Sequence, residues 1–244
     1  MNAVITGLLM TKTNNKPNSI RGNTMNESAT KNNVNIKLLL CGAFGHLLCW
    51  LGGDLLLYFM PSGPLNVLGL FDYEKTASML HGVSPLQFTL SGIFGVIAMI
   101  VIMPGYFQIA NFLKPTSPKS ARIVQVGTAL TCVAGAVMHF TCTSMLWHFV
   151  KAGATEQAHE IMLSYFFETC VTSSLCNIGV FMVCVTLFIA VFKQKTCLPK
   201  WACVINTISF TLVAAIIFAG MGAMNVGSSL MFFGLYFLMK KYCN

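Results

Sequence analysis

Asp54 sits where an ionised carboxylate is expensive. It lies within Leu51-Gly52-Gly53-Asp54-Leu55-Leu56-Leu57, inside an apolar run from Leu38 to Phe59. That run is long enough to cross a bilayer, and an acid at such depth costs roughly 2.5–3.5 kcal/mol unless it is protonated, paired or facing a wet cavity. A retained acid there points to a buried polar site. Taking the basic residue at the end of each apolar segment as a depth marker puts four polar side chains at one level. Asp54 is 17 residues from Lys37, His139 is 17 from Arg122, Asn177 is 16 from Lys193 and Asn225 is 15 from Lys240. At 1.5 Å per residue these lie about 22–26 Å from the basic side, in the outer third of a ~30 Å apolar core.

Asp54 and His139 form the pair with most chemical potential. A carboxylate and an imidazole can share a proton or a metal and so lower each other's desolvation cost; the plainer reading is a buried bond that locks two helices. His46 precedes Asp54 by eight residues with Trp50 midway, a slanted row on one helix side. Asp/His chains of this kind mark proton relays in pumps and transporters, although a His bonded to a neighbouring helix gives the same pattern. Asn177 completes the expected site as a ligand or as interhelical glue. Asn225, three residues after Gly222, could simply satisfy a turn.

The metal motifs of soluble enzymes are missing. His139 and His148 are nine apart and half a turn out of phase, and neither His-Glu-x-x-His nor Cys-x-x-Cys occurs. No metal and no cofactor is expected. The one metal set that could assemble is Asp54, His139 and Glu168, which resembles the Asp/His sites of intramembrane zinc hydrolases. No Gly-x-Ser-x-Gly, P-loop or dinucleotide fingerprint is present. Ser91 and Thr172-Ser173-Ser174 are expected to bond back to helix carbonyls. Of ten cysteines, most fall inside apolar segments as small apolar residues; Cys142 and Cys170 are placed to pair in an oxidising compartment.

The elements that must position these groups are helices in a membrane. The chain is 55% hydrophobic and 9% charged, with a mean hydropathy of +0.71, against about 25% charged residues in a soluble domain. Six segments reach spanning length, near 38–59, 86–110, 123–148, 170–192, 201–219 and 222–239, with Gly220 and Gly222 turning the chain between the last two. The fold expected is all-α and integral to the membrane, with six transmembrane helices in one domain, 37–244. The net charge of +8 does not imply nucleic acid. Thirteen of the 15 basic residues (Lys12, Lys16, Arg21, Lys31, Lys37, Lys114, Lys119, Arg122, Lys193, Lys195, Lys200, Lys240, Lys241) fall on one side, leaving Lys75 and Lys151 opposite. By the positive-inside rule both termini are cytoplasmic. Residues 1–36 are polar and expected to be disordered; Met25 offers an alternative start.

Local signals mark the boundaries. Ser84-Pro85-Leu86-Gln87 reads as a capping box opening the second span, and Ser117-Pro118 plays that part before the third. Pro104-Gly105 should kink the second helix. A short interfacial helix is expected at Tyr73–Leu80, and Thr155 as the cap of a helix running into the fourth span. Gly42, Gly45, Gly52 and Gly53 on span one, with Gly127 and Gly135 on span three, permit close helix approach and would bring Asp54 to His139.

The segments Gly53-Asp54-Leu55-Leu56-Leu57, Leu90-Ser91-Gly92-Ile93-Phe94-Gly95-Val96-Ile97, Ser117-Pro118-Lys119-Ser120-Ala121 and Gly135-Ala136-Val137-Met138-His139 resemble an uncharacterised family of bacterial multipass membrane proteins with a Gly-Asp-Leu-Leu-Leu element in the first helix. The resemblance covers roughly residues 38–150. It implies the fold and the weight on Asp54 and His139, but no reaction. Members carry an acid after an Ile-Pro in the second helix, whereas this chain has Met103-Pro104-Gly105. The function expected is binding or transport of a small molecule or lipid through a protonatable site in the outer half of the inner membrane, with membrane lipids as partners. A metal-dependent intramembrane hydrolase and a structural, partner-binding protein are the alternatives.

Overall fold

The computed structural model describes residues 35–217 and 222–243. The expected disordered tail as far as residue 34, the alternative start at Met25 and the turn residue Gly220 lie outside the described residues. Among those described, seven α-helices account for most of the chain: α1 Leu38–Tyr58, α2 Tyr73–Leu80, α3 Pro85–Leu113, α4 Pro118–Lys151, α5 Glu156–Phe192, α6 Thr207–Ile217 and α7 Ala223–Tyr242. The only departure from an all-helical fold among them is a two-residue antiparallel pairing, Phe59–Met60 with Gly63–Pro64.

Four of these helices, α1, α3, α4 and α5, are long and apolar enough to cross a membrane. Their outer faces expose large apolar side chains such as Ile100, Val133, Phe140 and Phe181, a surface suited to lipid rather than water. The last two expected spans come out differently. The chain from Lys200 to Val204 is a short 3₁₀ turn, and α6 begins only at Thr207. Asn206 sets that start: its Oδ1 accepts from the Ile208 amide at 3.0 Å while its Nδ2 donates to the Cys184 carbonyl at 2.9 Å. Over its 11 described residues, α6 extends about 16 Å. Helix α7 has 20 residues, but it buries Asn225, Ser228 and Ser229 and ends on Lys240 and Lys241.

The capping signals are realised with one change of partner. Ser84, Ser117 and Thr155 accept amide hydrogen bonds at the starts of α3, α4 and α5, and Asp72 caps α2. Gln87 does not close a capping box. Its amide donates instead to the Leu56 and Phe59 carbonyls, using a long side chain to satisfy the orphan acceptors at the end of α1. Pro104 lies within the continuous helix α3.

Helix α1 packs chiefly on α3 and α7, not on α4. A Cβ at Gly105 would lie 2.7 Å from the Gly42 backbone, and one at Gly45 would strike Ile102, so the glycines of α1 serve its crossing with α3. Gly127 of α4 meets Gly179 of α5. The expected glycine-mediated packing of spans one and three is therefore corrected: α3 lies between them. A second core, including Met60, Leu80, Phe88, Phe149 and Met162, fills the end of the bundle under the α1–α3 connection. At the basic end Cys197 and Cys243 form a disulfide. Cys142 and Cys170, which an oxidising compartment could allow to pair, are both free.

Candidate functional site

The site begins with a fault in a helix. Gly52 and Gly53 weaken the ladder of α1, and Cys49–Asp54 adopts a π turn with i→i+5 hydrogen bonding. In a regular α-helix, residues five apart point about 140° away from each other. The π turn brings Cys49 and Asp54 to one side, where a single amide reaches both. Ser91 of α3 donates to the Gly53 carbonyl at 2.8 Å, a bond across helices rather than back along its own. Helix α4 carries a matching π turn at Leu130–Ala134, just before His139.

Two glycines make room for the polar groups. A Cβ at Gly95 of α3 would come within 2.5 Å of His139 Cγ, so the imidazole lies directly on the α3 backbone. Gly222 caps α7 at φ +70°, and a Cβ there would be 2.8 Å from Asp54 Oδ2. The Asp54 carboxylate thus stands at the first turn of a 20-residue helix, whose free amides and dipole favour negative charge.

The hydrogen bonds have a direction. An ionised carboxylate only accepts, so Asn225 must turn Nδ2 towards Asp54 Oδ2, at 2.8 Å. That orientation aims its Oδ1 at His46 Nδ1, 2.8 Å away, which must then carry a proton. The remaining His46 nitrogen, Nε2, accepts from the Tyr106 hydroxyl at 3.1 Å. The chain Tyr106–His46–Asn225–Asp54 is satisfied at every link by a neutral histidine. The Asn225 amide also reaches Cys49 Sγ at 3.3 Å, and Cys49 Sγ lies 3.1 Å from His139 Nε2.

His46, Asp54, His139 and Asn225 border a cavity of about 190 Å³, which Cys176 and Val180 of α5 also line. Its volume equals about six water molecules at liquid density, below the roughly 300–1,000 Å³ of drug-sized pockets. Cys49, His46, His139 and Asn225 are buried, and Asp54 is partly exposed. The only ion pair among the described residues is Lys75 with Asp72, so no basic side chain neutralises Asp54.

Of the residues expected to form the site, Asp54, His139 and His46 converge on this cavity. The ligand atoms of Cys49, Asp54 and His139 lie within 4.8 Å of one another, one water's reach for Asp54 and His139. Two expectations are corrected. Asn177 is exposed, because Cys176 and Val180 turn the inner face of α5 to the cavity and Asn177 falls a residue out of phase. Glu168 is also exposed and bonds Ser164 at 3.0 Å, so it is not a third member of a set with Asp54 and His139. Sequence reasoning passed over Cys49 and Tyr106 and gave Asn225 the least weight. Five-residue spacing next to Gly-Gly was the available signal for Cys49. His159, another outer histidine, is accounted for by its 2.9 Å bond to the Leu70 carbonyl.

Comparison with known proteins adds a family but no activity. The chain belongs to a family of unknown function, DUF6796, whose model matches residues 25–242. No curated protein and no solved structure matches it.

Proposed function

We propose that this member of DUF6796 is a multipass protein of the cell's inner membrane that binds a small cation at the Asp54 site. The observation that carries the reading is an anion prepared but not neutralised. Asn225 and the first turn of α7 orient and stabilise the Asp54 carboxylate, worth about 1.5–3 kcal/mol for a hydrogen bond to a charged group and up to ~2 kcal/mol for the helix terminus. Together these offset the cost of placing the acid there, yet leave a net negative charge beside the cavity. The cavity's small volume favours an ion with its water over a lipid or a larger solute.

The proposed topology has six crossings with both termini in the cytoplasm. Its support is the charge distribution: Lys37, Lys114, Lys119, Arg122, Lys193, Lys195, Lys200, Lys240 and Lys241 all follow or precede helix ends of one polarity. In this arrangement α6 and α7 share the last two crossings, and the Asp54 site lies in the outer half.

A panel of cations tested by thermal stability of the purified protein in detergent examines the binding reading. At least one cation should raise the Tm of wild type and leave Asp54→Asn unmoved, since ligands that bind only the folded state stabilise it by mass action. Equal shifts in both proteins would remove Asp54 from the site.

A further inference from the structure

The ligand set narrows the cation. We infer that the Asp54 site is a transition-metal site, with Zn²⁺ as its type, held by Cys49 Sγ, a His139 ring nitrogen and an Asp54 carboxylate oxygen. The inference rests on the reading that Asp54 receives a cation and adds which chemical class it receives.

Three features of the site select that class. First, the three donors come from two helices, Cys49 and Asp54 from the π turn of α1 and His139 from α4, and their ligand atoms come within 4.8 Å of one another. Tetrahedral bonds of about 2.0–2.3 Å to nitrogen, oxygen and sulfur put ligand atoms roughly 3.3–3.8 Å apart. Cys49 and His139, at 3.1 Å, must open by a few tenths of an ångström, and Asp54 must close from as far as 4.8 Å by about 1–1.5 Å to reach tetrahedral spacing. These are side-chain adjustments beside a cavity that leaves room for them.

Second, the donor types exclude the common hard cations. Calcium and magnesium require six or more oxygen ligands, and here one carboxylate is the only charged oxygen group. A thiolate with an imidazole selects zinc and its neighbours. Charge also closes: a divalent ion, the Asp54 carboxylate and a Cys49 thiolate, formed as its proton leaves on binding, sum to zero. Neutrality is reached without any lysine or arginine, and none lines the cavity among the described residues.

Third, the surroundings suit ligands rather than a free thiol. One amide, from Asn225, donates to both anionic ligands, at 2.8 Å to Asp54 and 3.3 Å to Cys49. Its own orientation is held by His46 and Tyr106. Hydrogen-bonded supports of this kind tune metal ligands, and their loss usually lowers affinity about 10–100-fold. With three protein ligands, the fourth position opens on the cavity, the arrangement of zinc sites that also hold a water or small ligand.

Cobalt reports on the thiolate directly. The full chain, purified in detergent and treated with a chelator, is titrated with Co²⁺. Wild type should bind one ion per chain and show a near-ultraviolet thiolate-to-cobalt band. Zn²⁺ should displace that band and protect Cys49 from alkylation, mapped by mass spectrometry in wild type so that no variant has to fold. Cys49→Ser should lose the band, whereas Cys176→Ser, at a cavity-lining cysteine outside the ligand set, should keep it. Absence of the band in wild type, Zn²⁺ without effect on Cys49 alkylation, or a band unchanged in Cys49→Ser would each overturn the metal assignment. If Asp54-dependent stabilisation by Na⁺, K⁺, Mg²⁺ or Ca²⁺ is then found, the cation-site reading stands and only its metal identity falls. If no cation acts through Asp54, both fail.

Discussion

Asn225 and Asp54, 171 positions apart in the chain, are joined by an amide-to-carboxylate hydrogen bond of 2.8 Å. The same asparagine accepts from His46 and donates to Cys49. It is the hub through which the first and last helices are held together.

Replacing that hub should be costly in two ways. Asn225→Ala leaves the His46 Nδ1 proton and the Asp54 oxygen without a protein partner, at about 1–3 kcal/mol per group. A loss of about 2–6 kcal/mol in unfolding free energy is expected from these two groups, with a roughly 10–100-fold fall in metal affinity. Denaturant titration and cobalt binding measure the two effects separately. Wild-type stability in the alanine variant would mean the chain is peripheral.

Gly95 tests the geometry from the other side. A methyl at this position would meet the His139 ring at 2.5 Å. The imidazole must move, and crowding of this kind typically costs about 1–3 kcal/mol. Gly95→Ala should therefore weaken cobalt binding together with stability. Gly82, where a Cβ meets nothing within 4 Å, is no fair control because its φ of +73° strains any side chain.

Much of the scaffold was legible from the chain. The short helix at Tyr73–Leu80, its neighbours' serine and threonine caps, and the convergence of Asp54, His46 and His139 all follow from local chemistry: a cap needs a short oxygen-bearing side chain, and a buried polar residue needs partners. The misses have distinct physical causes. A ruler of 1.5 Å per residue assumes an unbroken α-helix, and the π turns at Cys49–Asp54 and Leu130–Ala134 change the phase around it. The π turn of α1 hid Cys49, whereas Asn177 falls a residue out of phase with the inner face of the regular helix α5. Tyr106 and Gln87 find partners on other helices, information that no single segment contains.

The α2 cap predicts a local response to acid. The Lys75 amide bonds Asp72 Oδ1 at 3.0 Å, and this bond above all holds the Asp72 carboxyl below its ordinary value of 3.8. Because the folded pKa is depressed, the cap's contribution is fully present above the ordinary value and is lost as pH falls through the lowered one. Hydrogen exchange at the Lys75 amide should accelerate over that acid window. Asp72→Asn, which can still cap, should remove the pH dependence and keep the protection.

The disulfide tests the topology. Cys197 and Cys243, with Cα atoms 5.5 Å apart, lie at the basic end of the bundle. If that end faces the cytoplasm, a reducing compartment keeps both as thiols. In intact cells a membrane-permeant maleimide should label them, and an impermeant one should not; after purification in air they should resist labelling. Labelling by the impermeant reagent in intact cells, or a pair already oxidised there, contradicts the proposed orientation.

Asp54→Asn tests most directly whether Asp54 is a prepared anion awaiting a cation, because shape and hydrogen-bonding capacity are kept while the charge is removed. Equilibrium dialysis of the purified full chain against Zn²⁺ should show one tightly bound ion in wild type and at least a 100-fold weaker affinity in a folded Asp54→Asn protein, a difference of about 2.7 kcal/mol. Matching isotherms for the two folded proteins would contradict the claim and leave the polar cluster as a lock between helices.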